Sequence, residues 1–113
     1  MLCPETKISP VNREALKNGK DNQTTLTNIF TGRPARGIVN RAIRELGPMS
    51  DNVPEFPLAA AALGPLRSNS EAPGSGDFTP LWSGQAAGLA RELPAAELKK
   101  QLVAETLDKL RSF

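Results

Sequence analysis

The sequence predicts a mostly helical fold with one or two short strands. Apolar residues near the C-terminus recur at the spacing of an amphipathic helix. Residues 24–30 form the one stretch whose β-branched and aromatic content is typical of a strand. Nine Gly and ten Pro interrupt the 113-residue chain often, so the predicted elements are short.

The first predicted helix spans residues 9–18. Ser9 is a good N-cap, Pro10 suits the first helical position, and Gly19 suits the C-terminal stop. A polar loop over residues 20–23 follows it. The strand predicted next, over residues 24–30, places Leu26, Asn28 and Phe30 on one face.

A second helix is predicted to begin at Pro34, inside the segment 31–37, and to end at Gly47 and Pro48. The apolar residues that continue it at helical spacing are Ile38, Ala42, Ile43 and Leu46.

Four arginines decorate this segment: Arg33, Arg36, Arg41 and Arg44. Arg33 and Arg36 beside a helix start could hold an anion. The alternative, which the residue types favour, is solvated arginines with a salt bridge to Glu45 or to a neighbouring segment. Nucleic acid is not an expected partner, because the net charge is only +2 and the basic first half of the chain holds a single aromatic residue.

The middle of the chain is predicted to be a surface connection over residues 47–57, a helix over residues 58–66 and a loop over residues 68–78. The helix is rich in Ala, and Pro65 should kink or end it. Its apolar character on nearly all sides predicts burial on more than one face.

The best candidate site is the segment Trp82, Ser83, Gly84 and Gln85, before a predicted helix of small residues over 86–93. Backbone N–H groups at this helix start and the Gln85 amide could meet a ligand, with the Trp82 ring as an apolar wall. The alternative is a tryptophan that fills the core beside a helix cap, which is the commoner use of Trp.

The last element is predicted over residues 94–110. Pro94 opens it, and Glu97 and Lys109 complement the helix dipole at the two ends. One face is apolar and carries Leu98, Leu102, Val103, Leu107 and Leu110.

The side-chain inventory argues against a self-sufficient enzyme. The chain has no histidine and one cysteine, which excludes Ser-His-Asp and Cys-His catalysis and any multi-cysteine metal site within it. We therefore predict no catalytic and no metal-binding residue, and we interpret Cys3 as a small apolar residue. No apolar run approaches a membrane span and the N-terminus lacks an apolar signal region, so we expect a cytoplasmic protein with no membrane partner.

Four motifs resemble nitronate monooxygenases, formerly called 2-nitropropane dioxygenases. Thr31-Gly32-Arg33-Pro34-Ala35-Arg36-Gly37 followed by Asn40-Arg41 is similar to an SGRPARG-type segment of that family. The stretch from Pro80 to Ala90 resembles its PLWSGQ-type stretch. The other two motifs are Glu92-Leu93-Pro94-Ala95-Ala96-Glu97-Leu98 and, near the N-terminus, Cys3-Pro4-Glu5 with Lys7-Ile8-Ser9-Pro10.

The resemblance implies the C-terminal part of a (β/α)8 barrel flavoenzyme and its small second domain, not a complete barrel. Such enzymes hold FMN noncovalently and oxidise alkyl nitronates with O2. The family's FMN-phosphate loop and catalytic histidine would lie upstream of residue 1. We therefore expect a C-terminal fragment that is inactive alone and binds no FMN by itself, with the nitronate and O2 as substrates of the full-length enzyme.

Within that framework, residues 1–20 would be the last barrel helix region, 21–93 the small-domain elements and 94–113 a C-terminal packing helix. The strand at 24–30 would pair with chain absent from this sequence. Uncovered apolar faces would then permit self-association. A noncatalytic helical module that binds a partner through its Leu98–Leu110 face is the main alternative, and a small anion- or RNA-binding protein using the four arginines is a weaker one.

Overall fold

The computed structural model describes residues 1–19 and 23–113, so most of the predicted loop at 20–23 lies outside the described residues. The chain is mostly helical with two strands, as the sequence predicts. Its elements are, in order, α1 (Pro10–Lys17), β1 (Thr24–Thr27), β2 (Ala35–Ile38), α2 (Arg41–Leu46), α3 (Ala59–Glu71), a 3₁₀ helix (Ala87–Leu89) and α4 (Ala95–Arg111).

Helix α1 confirms its predicted cap. The Ser9 hydroxyl accepts the backbone N–H of Asn12 at 3.2 Å, and Leu16 is buried on the inner face. Arg13 on the same helix donates to backbone carbonyls of Leu2, Cys3 and Thr6, which fixes the N-terminal segment against α1. A first core cluster forms here from Leu2, Leu16, Ile38 and Leu81.

The helix predicted from Pro34 is wrong in its first half. Residues Ala35–Ile38 are strand β2, which pairs antiparallel with β1 in the register Thr24↔Ile38 to Thr27↔Ala35. The helix begins only after the N-cap residue Asn40. The spacing of Ile38, Ala42 and Ile43 fits a continuous helix, but it also fits a buried strand end followed by a helix. The hydrogen bonds between β1 and β2 select the second arrangement.

The pairing also corrects the expectation that the first strand needs chain absent from this sequence. The predicted strand is shorter than expected, because β1 ends at Thr27. The buried Thr27 hydroxyl donates to the Pro48 carbonyl at 2.7 Å and accepts the Ile29 N–H at 3.3 Å. The chain turns there, and Ile29 and Phe30 enter a second core cluster with Ala42 and Ile43.

Helix α3 is longer and more exposed than predicted. It passes through Pro65 and ends at Glu71, so the predicted loop 68–78 is wrong for its first four residues. The expectation of burial on several faces is also wrong: Ala59 is its one buried residue, and Leu66 is 48% exposed. The predicted helix 86–93 is reduced to the 3₁₀ turn Ala87–Leu89.

Helix α4 confirms the prediction for the C-terminus. Its first N–H, on Ala95, donates to both carboxylate oxygens of Glu5 at 3.1 and 3.3 Å. Arg91 forms a bidentate ion pair with Glu105 at 2.6 and 2.9 Å. These contacts tie α4 to the rest of the chain, yet none of its 17 residues is buried. Among the described residues, no helix has the length and apolar character needed to cross a membrane.

Candidate functional site

The candidate residues Trp82 to Gln85 belong to a longer segment, residues 80–85, that lies along the edge of β2 opposite β1. The Ile38 N–H donates to the Leu81 carbonyl at 2.8 Å, and the Ser83 N–H donates to the Arg36 carbonyl at 3.3 Å. Trp82 faces Gly37 in an isolated antiparallel bridge. The segment therefore extends the sheet, and its backbone position is fixed by β2.

Gly37 is the residue that permits this close approach. A Cβ at that position would lie 3.1 Å from the Leu81 carbonyl oxygen and 3.4 Å from Cε3 of the Trp82 ring. The indole packs against the backbone of β2 at the space that the missing side chain leaves. A larger residue would have to displace the strand or the ring.

The Trp82 ring belongs to the second core cluster. It is half-buried and meets Phe30 edge to face, with ring centroids 5.7 Å apart and an interplanar angle of 89°. This is a favourable geometry for two aromatic rings. The contact with Phe30 agrees with the packing interpretation of Trp82, which the sequence left as an alternative. Trp82 also lines a cleft of 380 Å³ together with Pro80 and Arg67.

The residues after Trp82 lie closer to the surface. Ser83 is half-buried and uses its N–H on β2, whereas Gly84 and Gln85 are exposed. A Cβ at Gly84 would meet no atom within 4 Å. Ser83 and Gly84 line a second cleft, of 290 Å³, between the N-terminal segment and the 3₁₀ turn. The segment thus presents open backbone and a free Gln85 amide to the surface.

A hydrogen-bond network that the sequence did not predict fixes residues 76–79, which lead into this segment. The Asn40 side-chain NH2 donates to the carbonyls of Gly76 and Thr79, each at 2.8 Å. The buried Thr79 hydroxyl donates to Glu71 at 2.7 Å, and Arg67 donates to the same carboxylate at 2.8 Å. These two donors, Arg67 first, hold the pKa of Glu71 below its ordinary value. One signal was present: Asn40 directly precedes an apolar helical pattern, as an N-cap does.

Three of the four candidate arginines are engaged within the chain. The Arg33 guanidinium lies 4.5 Å from the centre of the Phe56 ring. Arg36 donates to the carbonyl and hydroxyl of Thr24 at 3.2 and 3.3 Å, as expected for a structural arginine. Arg41 pairs with Glu45 at 2.7 Å. The predicted salt bridge to Glu45 is thus confirmed, and β2 rather than a helix start carries Arg36.

An exposed apolar surface lies away from the candidate segment, along α4. Two adjoining grooves of 440 and 550 Å³ run along α4, and Val103 and Leu107 line both. Their lining is almost entirely apolar, so they lack the convergent polar groups typical of a catalytic pocket.

Comparison with known proteins gives one consistent result. The family profile described as nitronate monooxygenase matches residues 1–105. The chain is 42% identical over 106 residues to a nitronate monooxygenase from Pseudomonas aeruginosa and 39% identical over 118 residues to one from Paraburkholderia phytofirmans. A solved nitroalkane oxidase from Streptomyces ansochromogenes superimposes with a TM-score of 0.85 at 34% identity, over 99% of this chain and 32% of that one.

The matched region is a minor part of each relative. The alignments cover 93% and 100% of this chain but only 30% and 32% of the two bacterial relatives. The chain therefore spans about a third of the length of the curated relatives that it matches.

Proposed function

The chain belongs to the nitronate monooxygenase family, and from that membership we propose that it forms the C-terminal part of an FMN-dependent enzyme that oxidises alkyl nitronates with O2. The match over residues 1–105 supports the family, and the order of the four sequence motifs supports the C-terminal placement. The remaining part would be a (β/α)8 barrel that supplies the phosphate-binding loop and the catalytic histidine. The proposal keeps the cytoplasmic location expected from the sequence.

The candidate segment fits the edge of a flavin site but not a whole one. Trp82 offers an apolar wall, Gly84 leaves its surroundings open, and Gln85 carries both a donor and an acceptor. Because FMN also needs a phosphate cradle, which these residues do not form, the chain would hold the cofactor only together with the barrel. When bound, FMN would supply the redox chemistry, and this chain would shape and orient one side of the pocket.

The observation that carries the proposal is the asymmetry of the candidate segment. Backbone hydrogen bonds to β2 fix Leu81 and Ser83, whereas Gly84 and Gln85 remain exposed. A ligand-binding surface requires polar groups that are accessible to the ligand and a rigid backbone that holds them in place.

Replacing Gln85 tests this assignment. The 113-residue chain is joined to the upstream two thirds of the Pseudomonas relative, and Gln85→Ala is compared with Gln23→Ala, another exposed glutamine. Loss of one hydrogen bond should weaken flavin binding or turnover by about three- to tenfold for Gln85→Ala alone, at an unchanged Tm. A lower Tm with normal kinetics would instead assign the segment a purely packing role.

The isolated chain gives a second test. We expect it to show no useful affinity for FMN and no nitronate turnover, because the proposed phosphate loop lies on the barrel. Titration into FMN with fluorescence detection measures this directly. Stoichiometric quenching at micromolar affinity would contradict the proposal.

A noncatalytic helical interaction module is the second candidate. The exposed apolar face of α4, on which Leu102 is 51% and Leu110 is 64% exposed, favours it. Turnover by the joined protein would favour the enzyme segment, whereas a folded but inactive joined protein would favour the module. Self-association through such faces remains a prediction.

A further inference from the structure

Thr79 is fully buried, and each of its polar groups takes part in a hydrogen bond. Its N–H donates to the Gly76 carbonyl at 3.1 Å, its carbonyl accepts from the Asn40 side chain at 2.8 Å, and its hydroxyl donates to Glu71 at 2.7 Å. A buried polar network whose members are all satisfied is rigid. Thr79 is therefore a fixed point, and it lies three residues before Trp82.

The backbone between Thr79 and Trp82 is short and is fixed at both ends. Pro80 follows Thr79 directly, and its ring restricts its own φ and the conformation of the residue before it. Leu81 is buried, and its carbonyl accepts the Ile38 N–H at 2.8 Å. Few backbone torsions are left free over this distance. The position of the indole thus depends on Thr79 at one end and on β2 at the other.

The hydrogen bonds of Glu71 lead back to the cleft beside Trp82. The Glu71 Oε1 atom that accepts the Thr79 hydroxyl also accepts the Arg67 Nε–H at 2.8 Å. These donors, Arg67 first, hold the pKa of Glu71 below its ordinary value, so it is an ionised acceptor at neutral pH. Arg67 and Trp82 both line the 380 Å³ cleft. One carboxylate therefore connects two residues that line the same cleft.

A second arginine–glutamate pair shows what is particular to Glu71. Arg41 and Glu45 are also four residues apart, with Nε and Oε1 2.7 Å apart, and each side chain is 53% exposed. Exposed pairs of this kind stabilise a fold only slightly. The Glu71 side chain is less exposed, at 29%, and its carboxylate also binds the buried Thr79 hydroxyl. Its contacts thus link α3 to the backbone that leads into the candidate segment.

We propose that Thr79 and Glu71 are positioning residues for Trp82 and, through it, for the flavin. This inference deepens the proposed function and rests on it. Neither residue lines the 380 Å³ cleft, so both act through their neighbours. The hydrogen bond between them holds the indole in place before a ligand arrives, and a wall ordered in advance loses less conformational entropy on binding.

Trp82 fluorescence in the isolated chain tests the positioning without any cofactor. Trp82 is the one tryptophan of the chain, so acrylamide quenching of its fluorescence reports how well the indole is held. Thr79→Val removes the hydroxyl at nearly constant shape, and Glu71→Ala removes the acceptor. Glu45→Ala is the matched control, because it breaks the same kind of arginine pair in α2. Quenching is measured well below the Tm of each variant, where global unfolding does not contribute.

We expect the quenching constant to rise about twofold in Thr79→Val and in Glu71→Ala, because the segment opens locally more often. The double variant should show no larger rise than either single variant, since both remove the same bond. Thr79→Ser and Glu71→Gln keep a donor and an acceptor and should behave like the unchanged chain, as should Glu45→Ala. A lower Tm with unchanged quenching, or additive effects in the double variant, would overturn the inference and leave a purely structural role.

Flavin binding by the joined protein tests the consequence of the positioning. Thr79→Val should weaken FMN affinity by about three- to tenfold, the effect of one hydrogen bond, whereas Thr79→Ser should restore the affinity of the unchanged protein. Equal affinity in all of these variants would overturn the inference. A joined protein that binds no FMN would instead count against the proposed function, and the quenching comparison would still decide whether Thr79 and Glu71 position Trp82.

Discussion

Asn40→Ala should destabilise the chain more than any ordinary helix-cap substitution. Asn40 is 6% exposed, and its side chain makes three hydrogen bonds. Its side-chain oxygen accepts the Ile43 N–H at 3.3 Å and so caps α2. Its NH2 group donates at 2.8 Å to the carbonyls of Gly76 and Thr79, which lead into the candidate segment. One side chain therefore joins a helix start to a loop 36 to 39 residues away.

The magnitude follows from these two roles. Loss of an Asn cap costs about 1 kcal/mol. The buried Thr79 carbonyl, left without the Asn40 donor, costs about 1–3 kcal/mol, whereas the Gly76 carbonyl keeps the Thr79 N–H at 3.1 Å; neighbouring losses are not additive. We therefore expect Asn40→Ala to lower the free energy of unfolding by about 3 kcal/mol. That is a large fraction of the roughly 5–15 kcal/mol of a typical domain.

Urea denaturation followed by circular dichroism and by Trp82 fluorescence measures the change. Ser9→Ala is the matched control, because Ser9 also caps a helix but its hydroxyl is exposed and joins no distant loop. It should cost about 1 kcal/mol. Equal losses for the two variants, or a loss below about 0.5 kcal/mol for Asn40→Ala, would refute the loop-clamping role of Asn40.

Two further predictions concern backbone strain and acid stability. Gly32 has φ +85° and a Cβ there would lie 2.5 Å from the Phe56 nitrogen, so Gly32→Ala should lower Tm. Gly84→Ala is the control, because a Cβ there would meet no atom within 4 Å, and it should leave Tm unchanged; equal Tm values for the two variants would contradict the strain at Gly32. The lowered pKa of Glu71 means that its carboxylate stabilises the fold above its ordinary pKa of 4.5 and that this contribution is lost as the pH falls through the lowered value. In Glu71→Gln, the free energy of unfolding should therefore decline less steeply with falling pH below about pH 4.5. Urea denaturation at several pH values measures this, and an unchanged pH dependence in the variant would contradict it.

The helices with clear end signals could be predicted from the sequence. Ser9 and Pro10 define the start of α1, and Pro94 with a sustained helical period defines α4. Local rules suffice there because capping and periodicity act over a few residues. Of the two outcomes predicted for Pro65, a kink or a helix end, the helix end was wrong, because α3 continues six residues beyond Pro65.

Strand β2 could not be predicted, because its partners are distant in sequence. Ala35–Ile38 is a four-residue strand that pairs with β1 on one side and receives the candidate segment on the other. Short segments take their conformation from such contacts more than from intrinsic preference. The same limit applies to the candidate site. Its residues could be singled out, but the support from Gly37 and the network from Asn40 to Glu71 depend on the tertiary fold.

Burial was the property that the sequence predicted least well, and the reason is physical. A helical period shows that one face of α4 is apolar, but it does not show which surface covers that face. In this chain the two core clusters contain four buried residues each, and neither includes a residue of α4. Packing of Val103 and Leu107 therefore cannot explain why these positions are apolar within the chain alone. The helical period therefore identifies α4 as amphipathic, whereas the surface that covers its apolar face depends on contacts that the period does not encode.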